Sequence, residues 1–274
     1  MSVFRCPVCA QPLAFGEKEA VCPRNHHFDR ARQGHVNLLQ SQGSAAKRHG
    51  DDRLMVEARR RFLEKGFYAP LMEAAAAAAV EYAPPRRCTL LDTGCGEGYY
   101  TEGIYRALTA AGREPDVNAI DISRDAAKTI ARRPFPLEAA VASAFALPVQ
   151  DESCDLVVDI FAPCAEKEFA LVLKPGGILL RAVPLPRHLF GLKAAIYDKP
   201  YLNAEPRQEL PGFAPVELRR LCWELVLNDP QDIDDLFKMT PYYYKTSAAD
   251  QEKVKKLPGL STELAFGLLI DRRL

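Results

Sequence analysis

Downstream of residue 86 the chain alternates between short apolar runs and stretches in which apolar residues recur every three or four positions. The runs CTLLD (88–92), VNAID (117–121), EAAVA (138–142), DLVVDIF (155–161) and GILLRAV (177–183) have the length of buried strands. Between them, YYTEGIYRALTAAG, SRDAAKTIARR and AEKEFALVL carry the helical period. Such alternation predicts a parallel sheet with helices on both faces. Two helices precede it: DDRLMVEARRRFLEKG places Leu54, Met55, Ala58, Phe62 and Leu63 on one face and stops at Gly66, and YAPLMEAAAAAAVEYAPP closes at Pro84 and Pro85. After it, RRLCWELVLN and ELAFGLLID read as two more strands around a helical PQDIDDLFKM. No internal repeat is evident.

Residues 1–40 break the pattern, being poor in helical periodicity and rich in Cys, Pro, Gly and His. They read as a small metal- or turn-stabilised module, with too few apolar residues to hold by a core of its own. The polar, glycine-containing stretch 41–50 reads as a linker, and residues 51–274 as the main domain.

Composition adds limits. With 274 residues, 48% hydrophobic, the chain can bury a full core. Its longest apolar run, Ala74 to Val80, is far short of the roughly 20 residues of a spanning helix, and MSVFRCPVC lacks a signal-peptide layout. A soluble, cytoplasmic protein with eight reduced cysteines is expected. Net charge is zero, but residues 1–65 hold 12 Lys and Arg against 7 Asp and Glu, so the basic charge is at the front.

Cys6, Cys9, Cys22 and His26 are spaced C-x2-C-x12-C-x3-H, which fits two knuckles offering four ligands to tetrahedral zinc. His27 competes for the fourth position, and the spacing favours His26. Three thiolates and an imidazole make a closed, structural site without a position for substrate water. Its expected task is to present Lys18, Arg24, Arg30 and Arg32 on a rigid lobe.

The second chemical signal is LLDTGCGEGYYT, which sets Asp92, Gly94, Gly96 and Gly98 at a strand-to-helix turn. Tyr99 stands where a dinucleotide fingerprint needs its third glycine, which disfavours a nicotinamide dehydrogenase. The form D-x-G-x-G-x-G suits S-adenosylmethionine instead: glycines admit its methionine part, and the acidic residue can serve its ammonium group. Asp121, at the end of the next strand, is placed to accept from both ribose hydroxyls, and Ser143 and Phe145 of ASAF are placed to border the adenine.

Taken in order, CPVC, CPRNHHFD, GHVNLL, ARRRFLEKGFYAPL, LDTGCGEGYYT, FAPC, LKPGG and PRHL closely resemble the bacterial 23S rRNA guanine-N1-methyltransferase (RlmA-like) family over essentially the whole chain. The resemblance implies a class I, Rossmann-like methyltransferase fold of α/β type. It also implies an N-terminal zinc domain that grips RNA, and methylation of one of two neighbouring guanines (745 or 748 in conventional rRNA numbering) in the helix 35 loop of 23S rRNA. One branch is associated with macrolide-type antibiotic resistance. By the same resemblance Cys6, Cys9, Cys22 and His26 hold zinc, while Tyr68, Gly96, Glu97 and His188 contact S-adenosylmethionine. Phe161 to Cys164, in the position of the family's APC element, would line the target-base pocket.

Guanine N1 carries a proton that must leave, and positioning at about 3–3.5 Å should supply much of the rate. Asp159, just before that pocket element, is the candidate general base, although strand alternation could equally aim it away. The basic residues Lys47, Arg48, Arg53, Arg59, Arg60 and Arg61 are expected to hold phosphates between the lobes. Rival readings are a small-molecule methyltransferase with a structural zinc knuckle, which predicts no salt-sensitive RNA binding, and a non-catalytic nucleic-acid-binding module. The expected partner is the helix 35 region, with no membrane; homodimer formation is left open by the sequence.

Overall fold

The computed structural model describes residues 2–40 and 50–274, so the expected linker lies, apart from Gly50, outside the described residues. In the N-terminal segment β1 (Ala14–Phe15), β2 (Glu19–Val21) and β3 (His27–Asp29) form a small antiparallel sheet, and β4 (His35–Asn37) leaves it. There follow α1 (Arg53–Glu64), α2 (Ala69–Tyr82), β5 (Arg87–Thr93), α3 (Tyr99–Ala110), β6 (Glu114–Asp121), α4 (Arg124–Ile130) and β7 (Glu138–Val141). Next come β8 (Cys154–Ile160), α5 (Glu166–Val172), β9 (Leu173–Pro184) and α6 (Phe190–Ile196). The chain closes with β10 (Phe213–Leu227), α7 (Pro230–Lys238), α8 (Tyr242–Lys245), α9 (Ala248–Lys255) and β11 (Leu260–Arg273).

One eight-stranded sheet in the order β10-β11-β9-β8-β5-β6-β7-β4 organises the molecule. Pairing is parallel from β4 to β9 and antiparallel where β11 joins β9 and β10. The order reverses between β6 and β8 at β5, so a crevice opens at the carboxyl ends of the central strands. This is the α/β sheet expected of a class I methyltransferase.

The sheet is apolar on both faces. Leu90, Leu156, Val158 and Leu180 pack with α1, α2, α6 and α7, and Leu91, Val157 and Leu179 pack with Phe169 of α5. That second cluster also takes in Phe4, Cys6, Leu13, Cys22 and Val36. The zinc module therefore completes its core on the main sheet. Its strand β4 becomes the outermost parallel strand, with Val36 opposite Ala140 of β7, a pairing that nothing in the spacing of its cysteines announces. The Arg5 amide donates to Pro148 O at 2.8 Å, and Phe4 bridges Val149.

Local rules account for the helices that frame the crevice. Asp52 caps α1 by accepting from the Met55 amide at 3.0 Å, Met55, Val56, Ala58, Phe62 and Leu63 turn inward, and Gly66, at φ +81°, ends the run. α5 stops at Val172, and LKPGG (173–177) already belongs to β9, with an irregularity in the pairing opposite Cys154–Leu156.

Candidate active site and metal centre

The four N-terminal ligands converge. Cys9 and Cys22 Sγ are 3.6 Å apart, His26 Nδ1 lies 3.3 Å from Cys22 Sγ and 3.5 Å from Cys6 Sγ, and all four donor atoms fall within 4.8 Å of one another. Zn–S bonds of about 2.3 Å at tetrahedral angles need S···S separations near 3.7 Å, so the donor set fits zinc without rearrangement. Against the upward push of burial, the backbone N–H of His26 lowers the Cys22 thiol to about 6, toward the ligating thiolate. His27 is turned away: Nδ1 meets Glu19 at 2.8 Å and Nε2 meets Asn25 Oδ1 at 3.0 Å, which leaves His26 as the fourth ligand. Zinc bound here would cross-link the two knuckles.

At the carboxyl ends of β5, β6, β7 and β8 lies a cavity of about 600 Å³. The glycine loop enters it with left-handed φ at Gly94, Gly96 and Gly98. A side chain at Gly94 would occupy the place of the Ala162 methyl, and one at Gly98 would strike Ile130, so both positions are closed to any other residue. The Gly94 and Cys95 amides donate to Ile120 O, at 2.8 and 3.0 Å, and tie the loop to β6. Asp121 accepts from the Gly96 amide at 2.9 Å and the Ser123 amide at 2.7 Å, which fixes its carboxylate at the cavity wall with lone pairs to spare for a ribose diol. Ser143 lines the wall beyond it.

Glu97 is buried in the same wall, and burial raises its carboxyl against the opposing pull of Arg59 and Arg133. Arg59 donates to Asp51 Oδ2 at 2.5 Å and Met239 O at 3.2 Å, and its charge acts on Glu97 and Asp121. Two guanidinium groups, Arg59 and Arg133, thus act on three carboxylates, Asp51, Glu97 and Asp121, at this end, a surplus of negative charge that suits a cationic ligand. The other end is aromatic: Tyr68, Tyr100, Phe161, His188 and Tyr242 line it. The Ala265 amide donates to His188 Nδ1 at 3.3 Å, and burial lowers this imidazole to about 3, so it stays neutral with its proton on Nε2.

Of the expected cofactor residues, Tyr68, Gly94, Gly96, Glu97, Asp121, Ser143 and His188 line the cavity. Asp92 and Gly98 are not among the described residues that do. Asp92 stands beneath the loop, where burial pushes it up to about 7 and its Oδ2 accepts the Thr101 hydroxyl at 2.5 Å; Gly98 turns the chain into α3. Both shape the loop from behind.

Asp159 does not line the cavity either. Strand alternation presents Ile160 there and leaves Asp159 in register with Arg181, 3% exposed, its Oδ1 without a partner among the described residues. Burial pushes it up to about 8, with Asp92 adding to the shift. The wall that follows is Phe161, Ala162 and Pro163. Cys164 is outside it, a thiol raised to about 11 by burial and unsuited to nucleophilic attack.

The expected basic grip on α1 is also redistributed. Arg53 pairs with Glu57, Arg59 with Asp51, Arg60 with Glu64 and Arg61 with Asp235, and Lys47 and Arg48 lie outside the described residues. In the zinc module Arg30 is committed to Gly34 O and Gly16 O, whereas Lys18, Arg24 and Arg32 are exposed. Sequence reasoning missed Asp51, Arg59, Tyr100 and Tyr242 as cavity residues; Arg59 sits two helical turns from Asp51, and no local pattern points either toward the glycine loop.

Two family descriptions match the chain: the zinc ribbon described as "RlmA, N-terminal" over residues 4–47, and "Methyltransferase domain" over residues 90–177. A Bacillus subtilis (strain 168) protein, YxjB, assigned as a 23S rRNA (guanine-N(1)-)-methyltransferase, is 31% identical over 99% of this chain and 98% of its own length. The chain belongs to the 23S rRNA (guanine-N1)-methyltransferase family. A Streptomyces fradiae member, 23S rRNA (guanine(748)-N(1))-methyltransferase, is 34% identical over 70% of this chain and 67% of its own. A Micromonospora griseorubida protein of the same assignment is 37% identical over 69% and 68%. The family's two matched regions coincide with the four-ligand cluster and with the strands that carry the glycine loop. Among the described residues no helix is long and apolar enough to cross a membrane.

Proposed function

We propose that this protein transfers a methyl group from S-adenosylmethionine to N1 of a guanine in the helix 35 loop of 23S rRNA, in the cytoplasm. The observation that carries the reading is one continuous cavity with two chemistries, carboxylates on the glycine-loop side and aromatic rings on the side of Phe161, in a chain that also holds a Cys3His cluster. When bound, S-adenosylmethionine supplies an activated methyl. The protein's own residues then have three tasks.

Gly94, Gly96 and Asp121 seat the cofactor. The Phe161–Pro163 wall receives the base. The neutral His188 offers Nε2–H as a donor and takes no proton, and Asp159, set back from the cavity, leaves N1 to lose its proton to solvent as the methyl arrives. Positioning supplies much of the barrier reduction. A loop guanine suits such a pocket because its extrusion breaks fewer pairs than extrusion from a duplex.

Residues 1–40 are proposed to grip the RNA through the exposed Lys18, Arg24 and Arg32. Incorporation of labelled methyl into an unmodified 23S fragment containing helix 35, with binding that weakens as salt rises, tests the reading. Transfer to small acceptors alone, with no salt-sensitive RNA binding, would overturn it.

A further inference from the structure

Phe161 combines three properties seldom found together. It is a bulky residue at φ +58°, in the left-handed region that L side chains avoid. It is 44% exposed although its ring touches a buried cluster, with centroids 5.4 Å from Phe266, 6.3 Å from Tyr100 and 6.5 Å from Tyr68. It lines the cofactor cavity and is followed by Ala162, whose methyl fills the space that a side chain at Gly94 would take.

The backbone is held in this conformation by the Phe161 amide, which donates to Ala182 O at 3.1 Å on the neighbouring strand. A side chain placed for packing alone would not need that conformation, nor would it leave nearly half its surface uncovered. The ring is instead held at the rim, one residue from the contact between the pocket wall and the glycine loop.

We infer that Phe161 is the stacking platform on which the extruded target guanine lies, so that its N1 is presented toward the glycine-loop side of the cavity. This rests on the methyltransferase reading above and adds to it the residue that holds the base. The occupant is a purine face because the uncovered surface is one flat, apolar ring at the aromatic end of the cavity, away from the carboxylates of the glycine-loop side. A base–aromatic stack is worth enough that its removal should lower transfer about 5- to 150-fold.

Steady-state methylation of the helix 35 fragment by Phe161→Ala, Phe161→Leu and Phe161→Trp tests this, with S-adenosylhomocysteine affinity measured on each variant. The expected result is a fall in kcat/KM for RNA within that range for F161A, a fall also in F161L, which keeps an apolar side chain in the cluster and so guards against misfolding, and near wild-type transfer by F161W. S-adenosylhomocysteine affinity should remain within about twofold in all three. Wild-type kcat/KM in F161A, or a loss matched by an equal loss of S-adenosylhomocysteine affinity, overturns the assignment. If wild-type protein itself methylates no guanine of the fragment, the functional reading fails and the stacking role falls with it.

Discussion

The Leu38 amide donates to Val141 O at 3.0 Å, so the strand that ends the zinc module is bonded to the strand whose next residues, Ala142 and Ser143, border the cofactor cavity. Metal site and cofactor site are therefore joined by a single parallel pairing, β4 on β7, backed by a shared apolar cluster. Removing zinc should release the knuckles, weaken that pairing and loosen the adenosine end of the cavity. Zinc-depleted protein is expected to melt at lower temperature and to bind S-adenosylhomocysteine several-fold more weakly, with recovery on zinc addition. Unchanged affinity after verified depletion would show that the two sites are independent.

Arg59 offers a direct contrast between two roles. Seated among Asp51, Glu97 and Asp121, it belongs to the cofactor end of the cavity. Arg59→Gln should weaken S-adenosylhomocysteine binding about tenfold while leaving unchanged the slope of log affinity for RNA against log salt. A residue that neutralised a phosphate would instead lower that slope by about one.

Buried His188 shapes the acid side of stability. Its folded value near 3 lies below the ordinary value near 6.5, so the unfolded chain binds the extra proton, and the stability that the neutral ring contributes is present above 6.5 and lost as pH falls toward 3. Between pH 7 and 5 this amounts to about 2 kcal/mol. Denaturant titrations of His188→Gln should show a correspondingly flatter decline over that interval, and an equal slope in both proteins would exclude His188 as its source.

Asp159 acts in the opposite sense. Its folded value near 8 lies above the ordinary carboxylate range, so its favourable contribution is present at low pH and is lost as pH rises toward 8, by up to about 1.4 kcal/mol per pH unit. Asp159→Asn should therefore gain stability relative to wild type between pH 5 and 8. It should also keep cofactor binding and turnover, because the side chain does not line the cavity. Loss of turnover with cofactor binding intact would restore the carboxyl as the base.

Much of the fold could be read from the sequence because the buried parallel strands are short continuous apolar runs: the runs expected at 88–92, 117–121, 138–142, 155–161 and 177–183 fall on β5, β6, β7, β8 and β9. The metal cluster was legible for a similar reason, since tetrahedral zinc fixes the spacing of its ligands. What escaped was non-local. Pairing of His35–Asn37 with β7 depends on an edge a hundred residues away, and Arg59 looks like one of a basic helix cluster until its partners are known. Asp159 escaped for the opposite reason: a period of two decides which side chain faces the cavity, and the strand's end cannot be fixed to one residue from its composition.

The most direct measurement is a map of reverse-transcription stops on an unmodified 23S fragment containing helix 35, after incubation with the zinc-loaded protein and S-adenosylmethionine. N1-methylguanine blocks Watson–Crick pairing, so a new stop at one guanine of that loop, absent without cofactor and in a variant with Gly94→Val, is the predicted result. Failure of any stop to appear, with zinc and cofactor both shown to be bound, would contradict the helix 35 assignment.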